Sequence, residues 1–422
     1  MDYIEMINLE TKKLVIEGGY RLEGEVKISG AKNSALPLIT ASLIVDSDVV
    51  LKNIPAILDV YKMCELLEYI GSKVTFKVNV LHLTPILKKP ELLTPLTQSV
   101  RYSINLLGPL LLKFGYAKMS LPGGCKIGTR KIVSHILGLE RLGAKIIINI
   151  EDEIIEAEAK QLRGNVMTLE FPSVSATEHI MVTASLAKGT TIIQNVAKEP
   201  EIIDLANFLN SMGARIKGAG TNTVKIEGVN ELNGVEYSIM PDRIETGTFM
   251  LVAAVTKGDV LIEETCPNYL SAFIEKLRAM GVEIRVKGGS VHVKMSKRPR
   301  AIEITTGVYP GFPTDFQPQT SAVLCLAEGR SFVRDSIFSE RFSHIGGLKK
   351  MGAKIEVINN TAVIDGVEKL ISSEVEALDI RAGAALLLAA LSAEGETIIH
   401  NAYQIYRGYE EIDKKLKKSE PT

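Results

Sequence analysis

The stretch "SAFIEKLRAMGVEIRVKG", Ser271 to Gly288, decides the architecture. Its first ten residues alternate apolar and charged groups at helical spacing, which predicts an amphipathic helix. Gly281 then serves as the C-terminal cap, and the β-branched run from Val282 reads as a strand. The same grammar returns in "YIGSKV" around Gly71, "RLGAKI" around Gly143, "SMGARI" around Gly213 and "KMGAKI" around Gly352, at intervals of about 70 residues. A second phrase leads most repeats: "ASLAKGTTIIQNVAKEPEIIDLANFL", "AAVTKGDVLIEETCPNYLSAFIEKL" and "AALSAEGETIIHNAYQIYRGYEEIDKKL". Each begins with a small-residue apolar helix that ends at a glycine, continues as a strand, and turns into a second helix. That first helix is apolar on nearly every face and is predicted to lie buried among sheets. Six such units fill the 422 residues, the sixth cut short at "DKKLKKSEPT", where its glycine and strand would come. Repeats this long do not make a thin solenoid; they predict two lobes of three units with a cleft between them.

Composition excludes several classes. Lys plus Arg (49) and Asp plus Glu (50) nearly cancel, so no global field favours nucleic acid or an acidic membrane, and any anion must be caught locally. The start, "MDYIEMINLE", lacks the basic and apolar segments of a signal peptide, and runs such as "ALLLAALSA" are too short to span a bilayer. A cytoplasmic protein is expected. Cys64, Cys125, Cys266 and Cys325 are widely spaced and form no CxxC pair, which argues for free thiols rather than disulfides or zinc. No HExxH, Walker or dinucleotide-binding glycine pattern occurs, so neither metal nor cofactor is expected.

Three of the thiols sit within or beside apolar runs, where a cysteine acts as a small hydrophobe. Cys125 lies instead in "SLPGGCKIGTR" (Ser120 to Arg130), behind two glycines and between Lys126 and Arg130. That setting leaves two readings open, an inert loop residue or a thiolate stabilised by its basic neighbours.

Together with that loop, "SGAKNSALPL" (Ser29 to Leu38), "MPDRIETGTF" (Met240 to Phe249), "YPGFPTDFQPQ" (Tyr309 to Gln319), "LDIRAGAAL" and "YRGYEEIDKKL" resemble the enolpyruvyl transferase family, in particular UDP-N-acetylglucosamine 1-carboxyvinyltransferases. The resemblance runs in order from about residue 14 to residue 417. It implies an inside-out α/β barrel of six repeated units in two lobes, residues 1–31 and 241–422 forming the first and residues 32–240 the second, which carries the cysteine loop. The implied reaction adds enolpyruvyl from phosphoenolpyruvate to the sugar 3-hydroxyl of UDP-N-acetylglucosamine, committing it to cell-wall synthesis and so to cell shape and division.

The resemblance also implies roles for individual residues. Phosphoenolpyruvate, with a phosphate and a carboxylate, would be held by Lys32, Arg130, Arg341, Arg381 and Arg407, arginine being favoured for its bidentate fork. Cys125 would give a proton to the methylene carbon and could hold the molecule as an adduct; Asp315 would take the proton of the sugar hydroxyl. Asn33 would help hold the tetrahedral intermediate, and Asn33, Arg101, Asp315 and Ile337 would contact the nucleotide sugar. For any one cation the plain alternative is a solvated surface charge. That alternative is weak for Arg381, at the mouth of a buried helix beside Asp379, and stronger for Arg101. For Asp242, Arg243 and Glu245, in the returning crossover, the plain alternative is a salt-linked hinge, and it is the favoured one for Arg243 and Glu245. The oligomeric state stays open.

Some positions depart from the family. Where relatives read Arg-Pro-x-Asp-Leu-His after the loop arginine, to hold uracil, this chain reads Arg130-Lys-Ile-Val133-Ser-His135. Where many read Arg-Ala-Ser-Ile-Trp, it has Arg101-Tyr-Ser-Ile-Asn105. The alternatives are therefore a divergent enolpyruvyl transferase acting on another nucleotide sugar, or a non-catalytic regulatory paralogue. The shikimate-phosphate transferase is disfavoured by the cysteine loop. Retention of Lys32, Cys125, Asp315 and Arg407 together favours an enzyme.

Overall fold

The computed structural model describes residues 13–123 and 130–417. The five recurring glycines all have left-handed backbone: φ is 114° at Gly71, 99° at Gly143, 108° at Gly213, 100° at Gly281 and 88° at Gly352. A side chain would be strained there, so the helix ends and the chain turns back as a strand. After Gly281, Glu283–Lys287 pairs antiparallel with Ser290–Lys294, in the register Glu283 to Lys294 and Lys287 to Ser290.

Among the described residues six small sheets result, five of four strands and one of three. Each four-stranded sheet has a parallel edge strand, a central strand and an antiparallel hairpin. Val166–Thr168, for example, runs parallel to Thr190–Gln194, which pairs with Thr223–Glu227, itself paired to Arg215–Lys217. The short sixth repeat supplies only Glu374–Glu376 and Gly395–His400; Leu14–Gly18, from the start of the chain, takes the antiparallel place beside them. Two more strands are exchanged over long range: Glu23–Lys27 runs parallel to Asp259–Glu263, and Glu236–Ser238 parallel to Val49–Lys52.

The chain divides into two compact units, one ending at Ser29 and resuming at Pro241, the other spanning Gly30–Met240. In the first, the Asp242 N–H donates to the Ser29 carbonyl (2.9 Å); in the second, the Ala31 N–H donates to that of Met240 (2.8 Å).

Each unit holds three sheets and two kinds of helix. In the Gly30–Met240 unit, α1 (Lys32–Ala41), α3 (Leu107–Phe114) and α5 (Val174–Ala184) are the largely buried helices. The amphipathic ones are α2 (Leu58–Tyr69), α4 (Arg130–Arg141) and α6 (Pro200–Ser211). In the other unit α7 (Arg243–Val255), α9 (Gln317–Leu324) and α11 (Ile380–Ser392) are buried, α8 (Ser271–Met280) and α10 (Ile345–Lys350) flank the sheets, and α12 (Ile412–Lys417) follows as the last described helix. Small residues let α7, α9 and α11 pack on one another, and Arg243, Asp315 and Arg381 lie at or just before their N-terminal ends.

Candidate active site

Asp315 lies in a short turn, Thr314–Phe316, just before α9. Pro318 in the first turn of α9 suits a helix start, where its missing N–H has no partner to lose. Phe316 anchors the turn: it is fully buried and stacks on Phe273 with ring centroids 4.0 Å apart. Gly247 of α7 makes the room, since a Cβ there would fall 2.3 Å from the Phe316 ring.

Two arginines grip Asp315. Arg341 Nη2 donates to Oδ1 at 2.8 Å, and Arg381 Nε to the same oxygen at 3.3 Å. Arg381 occupies the first turn of α11, whose cap is Asp379; that carboxylate accepts the Arg381 N–H (2.8 Å) and the Ala382 N–H (2.9 Å). The far side of Arg381 donates to the Tyr409 hydroxyl (3.4 Å), which also accepts from Gln319 Nε2 (3.2 Å) and lies 2.9 Å from Thr248 Oγ1. Burial by itself would raise the proton affinity of Asp315, but the guanidinium groups of Arg381, Arg341 and Arg243 outweigh it and hold the carboxyl well below the usual range. The unit therefore presents an ionised carboxylate in a nest of cations, a setting suited to an anionic substrate and a proton acceptor.

Other candidates share this unit. The Ile337 N–H is bound to Asp335 (2.9 Å), in the segment that leads to Arg341. Arg407 donates to Gln404 Oε1 at 3.0 Å. In the Gly30–Met240 unit, Lys32 opens α1 and forms an ion pair with Asp59, both largely buried, and Asn33 beside it is half-buried. Arg101 is exposed at the start of a short helix, Arg101–Leu106. Arg130 begins α4, but its side chain and the whole of Cys125 lie outside the described residues.

Glu245 is salt-linked, through its ion pair to Lys415. Arg243 needs correction: it is 5 % exposed and its charge acts on Asp315, so it belongs to the site's electrostatics. Tyr409, inside the "YRGYEEI" phrase, was likewise not singled out by sequence. A buried aromatic hydroxyl beside an arginine has no linear signature.

The departures at Tyr102 and Asn105, and the histidine His135 that the chain shares with the family pattern, are packed together with α5. The Tyr102 hydroxyl donates to the buried Glu178 (2.8 Å), and Asn105 is itself 2 % exposed. His179 accepts the Gly108 N–H on Nε2 (3.0 Å), which puts its proton on Nδ1, facing His135 Nδ1 at 3.0 Å. His135 in turn faces Ser175 Oγ from Nε2 (3.1 Å). Burial, with Arg101 nearby, lowers the His135 pKa to about 3, so the chain of bonds is neutral. Val133, two residues earlier on α4, is 45 % exposed.

Burial pushes the Cys64 and Cys325 thiols up to about 12, whereas Cys266 is only partly buried. Brief alkylation, or treatment with a small epoxide mimic of phosphoenolpyruvate such as fosfomycin, should label Cys125 and leave Cys64 and Cys325 unmodified. Peptide mass mapping checks this; label mainly on Cys64, Cys266 or Cys325 contradicts it.

The EPSP synthase (3-phosphoshikimate 1-carboxyvinyltransferase) family profile matches residues 16–416. The chain is 47 % identical over 413 residues to the UDP-N-acetylglucosamine 1-carboxyvinyltransferase of Thermotoga petrophila, covering 96 % of this chain and 97 % of that one. The chain belongs to the enolpyruvyl transferase family. A UDP-N-acetylglucosamine 1-carboxyvinyltransferase 1 of Caldanaerobacter subterraneus is 48 % identical over 405 residues, with 96 % and 97 % covered. Solved structures of enolpyruvyl transferases share the fold. NikO of Streptomyces tendae superposes with a TM-score of 0.87 at 24 % identity over 97 % of this chain and 98 % of that one. An EPSP synthase of Acinetobacter baumannii gives 0.74 at 20 % identity over 98 % and 99 %. The six-repeat α/β architecture is thus that of the enolpyruvyl transferases, and the chain is a transferase.

Proposed function

We propose that this enolpyruvyl transferase joins phosphoenolpyruvate to the 3-hydroxyl of UDP-N-acetylglucosamine and releases phosphate, the first committed step of peptidoglycan precursor synthesis, in the cytoplasm of a bacterium. The observation that carries the reading is the Asp315 carboxylate held by Arg341 and Arg381.

Asp315 takes the sugar hydroxyl proton on Oδ2, the oxygen that bears neither arginine bond. The sugar oxygen bonds to C2 of phosphoenolpyruvate, while Cys125 gives its proton to the methylene carbon, producing a tetrahedral intermediate. The Cys125 thiolate takes a proton back from the new methyl group and phosphate departs, which restores the double bond. Lys32, Arg130, Arg341, Arg381 and Arg407 hold the phosphate and carboxylate; Asn33, Arg101 and Ile337 contact the nucleotide sugar. A carboxylate whose proton affinity is held so low is a weak base. When phosphoenolpyruvate draws Arg341 and Arg381 toward its own charges, Asp315 regains basicity at the moment it is needed. Phosphate release that requires both substrates supports the reading, and release indifferent to the nucleotide sugar refutes it.

A second reading, a preference for another nucleotide sugar, is favoured by Val133 standing exposed where relatives carry an aspartate. Val133→Asp should then tighten UDP-N-acetylglucosamine binding by roughly tenfold, the worth of one acceptor facing a buried donor. Titration calorimetry of both proteins with uridine and other nucleotide-linked sugars decides it. Tight binding of the uridine form by the unaltered protein, with no gain on substitution, removes this reading.

A further inference from the structure

We propose that Asp335 and Thr314 form a positioning relay that aims Arg341 at the reacting substrates; the proposal rests on the enolpyruvyl-transfer reading for the role of Arg341. Asp335 is fully buried and stands at the end of the strand Arg330–Arg334. Its Oδ1 accepts from Thr306 Oγ1 (2.9 Å), the Ile337 N–H (2.9 Å) and the Phe338 N–H (2.8 Å), and its Oδ2 from Thr314 Oγ1 (2.7 Å).

A hydroxyl has one proton. Thr314 gives it to Asp335, so the oxygen must turn a lone pair to Arg341 Nη1, which donates to it at 3.0 Å. Arg341 is then bound through Nη1 to Thr314 and through Nη2 to Asp315. Asp335 acts on Arg341 by a second route: it fixes the backbone of Phe338, whose ring lies 5.2 Å beneath the guanidinium. One buried carboxylate thus sets the Thr314 lone pair, the aromatic shelf and the Ile337 turn together.

The relay has a chemical signature. With its Thr314 acceptor gone, Arg341 loses its fixed fork and grips both phosphoenolpyruvate and Asp315 less firmly. Arg381 and Arg243 still face Asp315, while Asp379 and His344 face Arg341 from α11 and the segment before α10. Weakening one of three cations raises the Asp315 pKa, so the acid limb of kcat/KM moves to higher pH.

The test uses the full-length protein and the variants Thr314→Val, Thr314→Ser and Asp335→Asn. Thr314→Val should raise KM for phosphoenolpyruvate about tenfold, lower kcat by less, and shift the acid limb upward. Thr314→Ser, which keeps the hydroxyl, should restore both to within about twofold, the scale of a small positional change. Asp335→Asn offers an N–H where Thr314 needs an acceptor and should behave like Thr314→Val. A Thr314→Val protein that matches the unaltered one, or that loses activity with no movement of the acid limb, overturns the relay. If the unaltered protein fails to turn over phosphoenolpyruvate, the functional reading falls. The relay is then still decided by the carbon-13 titration of the Asp315 carboxyl, which must move upward in Thr314→Val.

Discussion

Asp315→Asn should lower kcat by about 10²–10⁴-fold, the usual worth of a positioned general base. It should also expose what the carboxylate does for the fold. Arg381, whose side chain is 11 % exposed, and Arg341, at 22 %, would lose their shared counter-charge. Removing one partner of such a cluster costs about 3–5 kcal/mol, toward the lower end here because Asp315 is itself 24 % exposed. The sign with pH is set by the depressed pKa: the stabilisation is present above the ordinary carboxylate pKa of about 4 and disappears as pH falls below it. Urea melts of the two proteins should therefore diverge at neutral pH and converge in acid. Added phosphate, an anion for the vacated cations, should rescue the variant more than the unaltered protein. A gap that ignores both pH and phosphate contradicts this account.

Lys415→Met should cost more stability than Asp315→Asn, about 3–5 kcal/mol at neutral pH, because it strands a buried charge. Glu245 is 2 % exposed. It accepts the Ser29 N–H on Oε2 (2.8 Å) and pairs through Oε1 with Lys415, which also donates to Ser29 Oγ (2.6 Å). The last described helix, α12, is tied in this way to the end of the first chain segment. Burial raises the Glu245 pKa, and Lys415 and the Ser29 N–H pull it back. Without the lysine the pKa rises further, so folding takes up a proton; the penalty is greatest at high pH and shrinks as pH falls through the raised value. The double variant Glu245→Gln, Lys415→Met, with no charge to bury, should recover most of the loss. A single variant within about 1 kcal/mol of the unaltered protein would show that the pair contributes no more than a surface salt bridge.

How much of this could be read from the chain depends on the range of the interaction. The glycine caps were legible because the cause is local: a left-handed residue after an amphipathic helix needs no distant partner, and Gly71, Gly143, Gly213, Gly281 and Gly352 all have it. Arg381 was legible for the same reason, since its cap, Asp379, is two residues away. The place of Leu14–Gly18 beside Gly395–His400 was not, because strand exchange joins the two ends of the chain and leaves no mark in either segment. The counter-charges of Asp315 come from Arg243 and Arg381, on helices packed with α9, and from Arg341, in the loop before α10, which only the tertiary fold brings near it. Asp335 escaped notice because a carboxylate that accepts two backbone N–H groups and two hydroxyls looks, in sequence, like any strand-end aspartate. Tyr102 and Asn105 stood out as departures, yet the hydrogen bond from Tyr102 to the buried Glu178 is purely tertiary, and Asn105 Nδ2 turns back to the Tyr102 carbonyl.

The most direct test of the central claim is to incubate the purified protein with phosphoenolpyruvate and UDP-N-acetylglucosamine and to follow the products by mass spectrometry and phosphate analysis. The account predicts one enolpyruvyl ether at the sugar 3-oxygen for each phosphate released, formed at least about a hundredfold more slowly by the Asp315→Asn protein. Phosphate release without the ether, or ether formed equally well by Asp315→Asn, would contradict it.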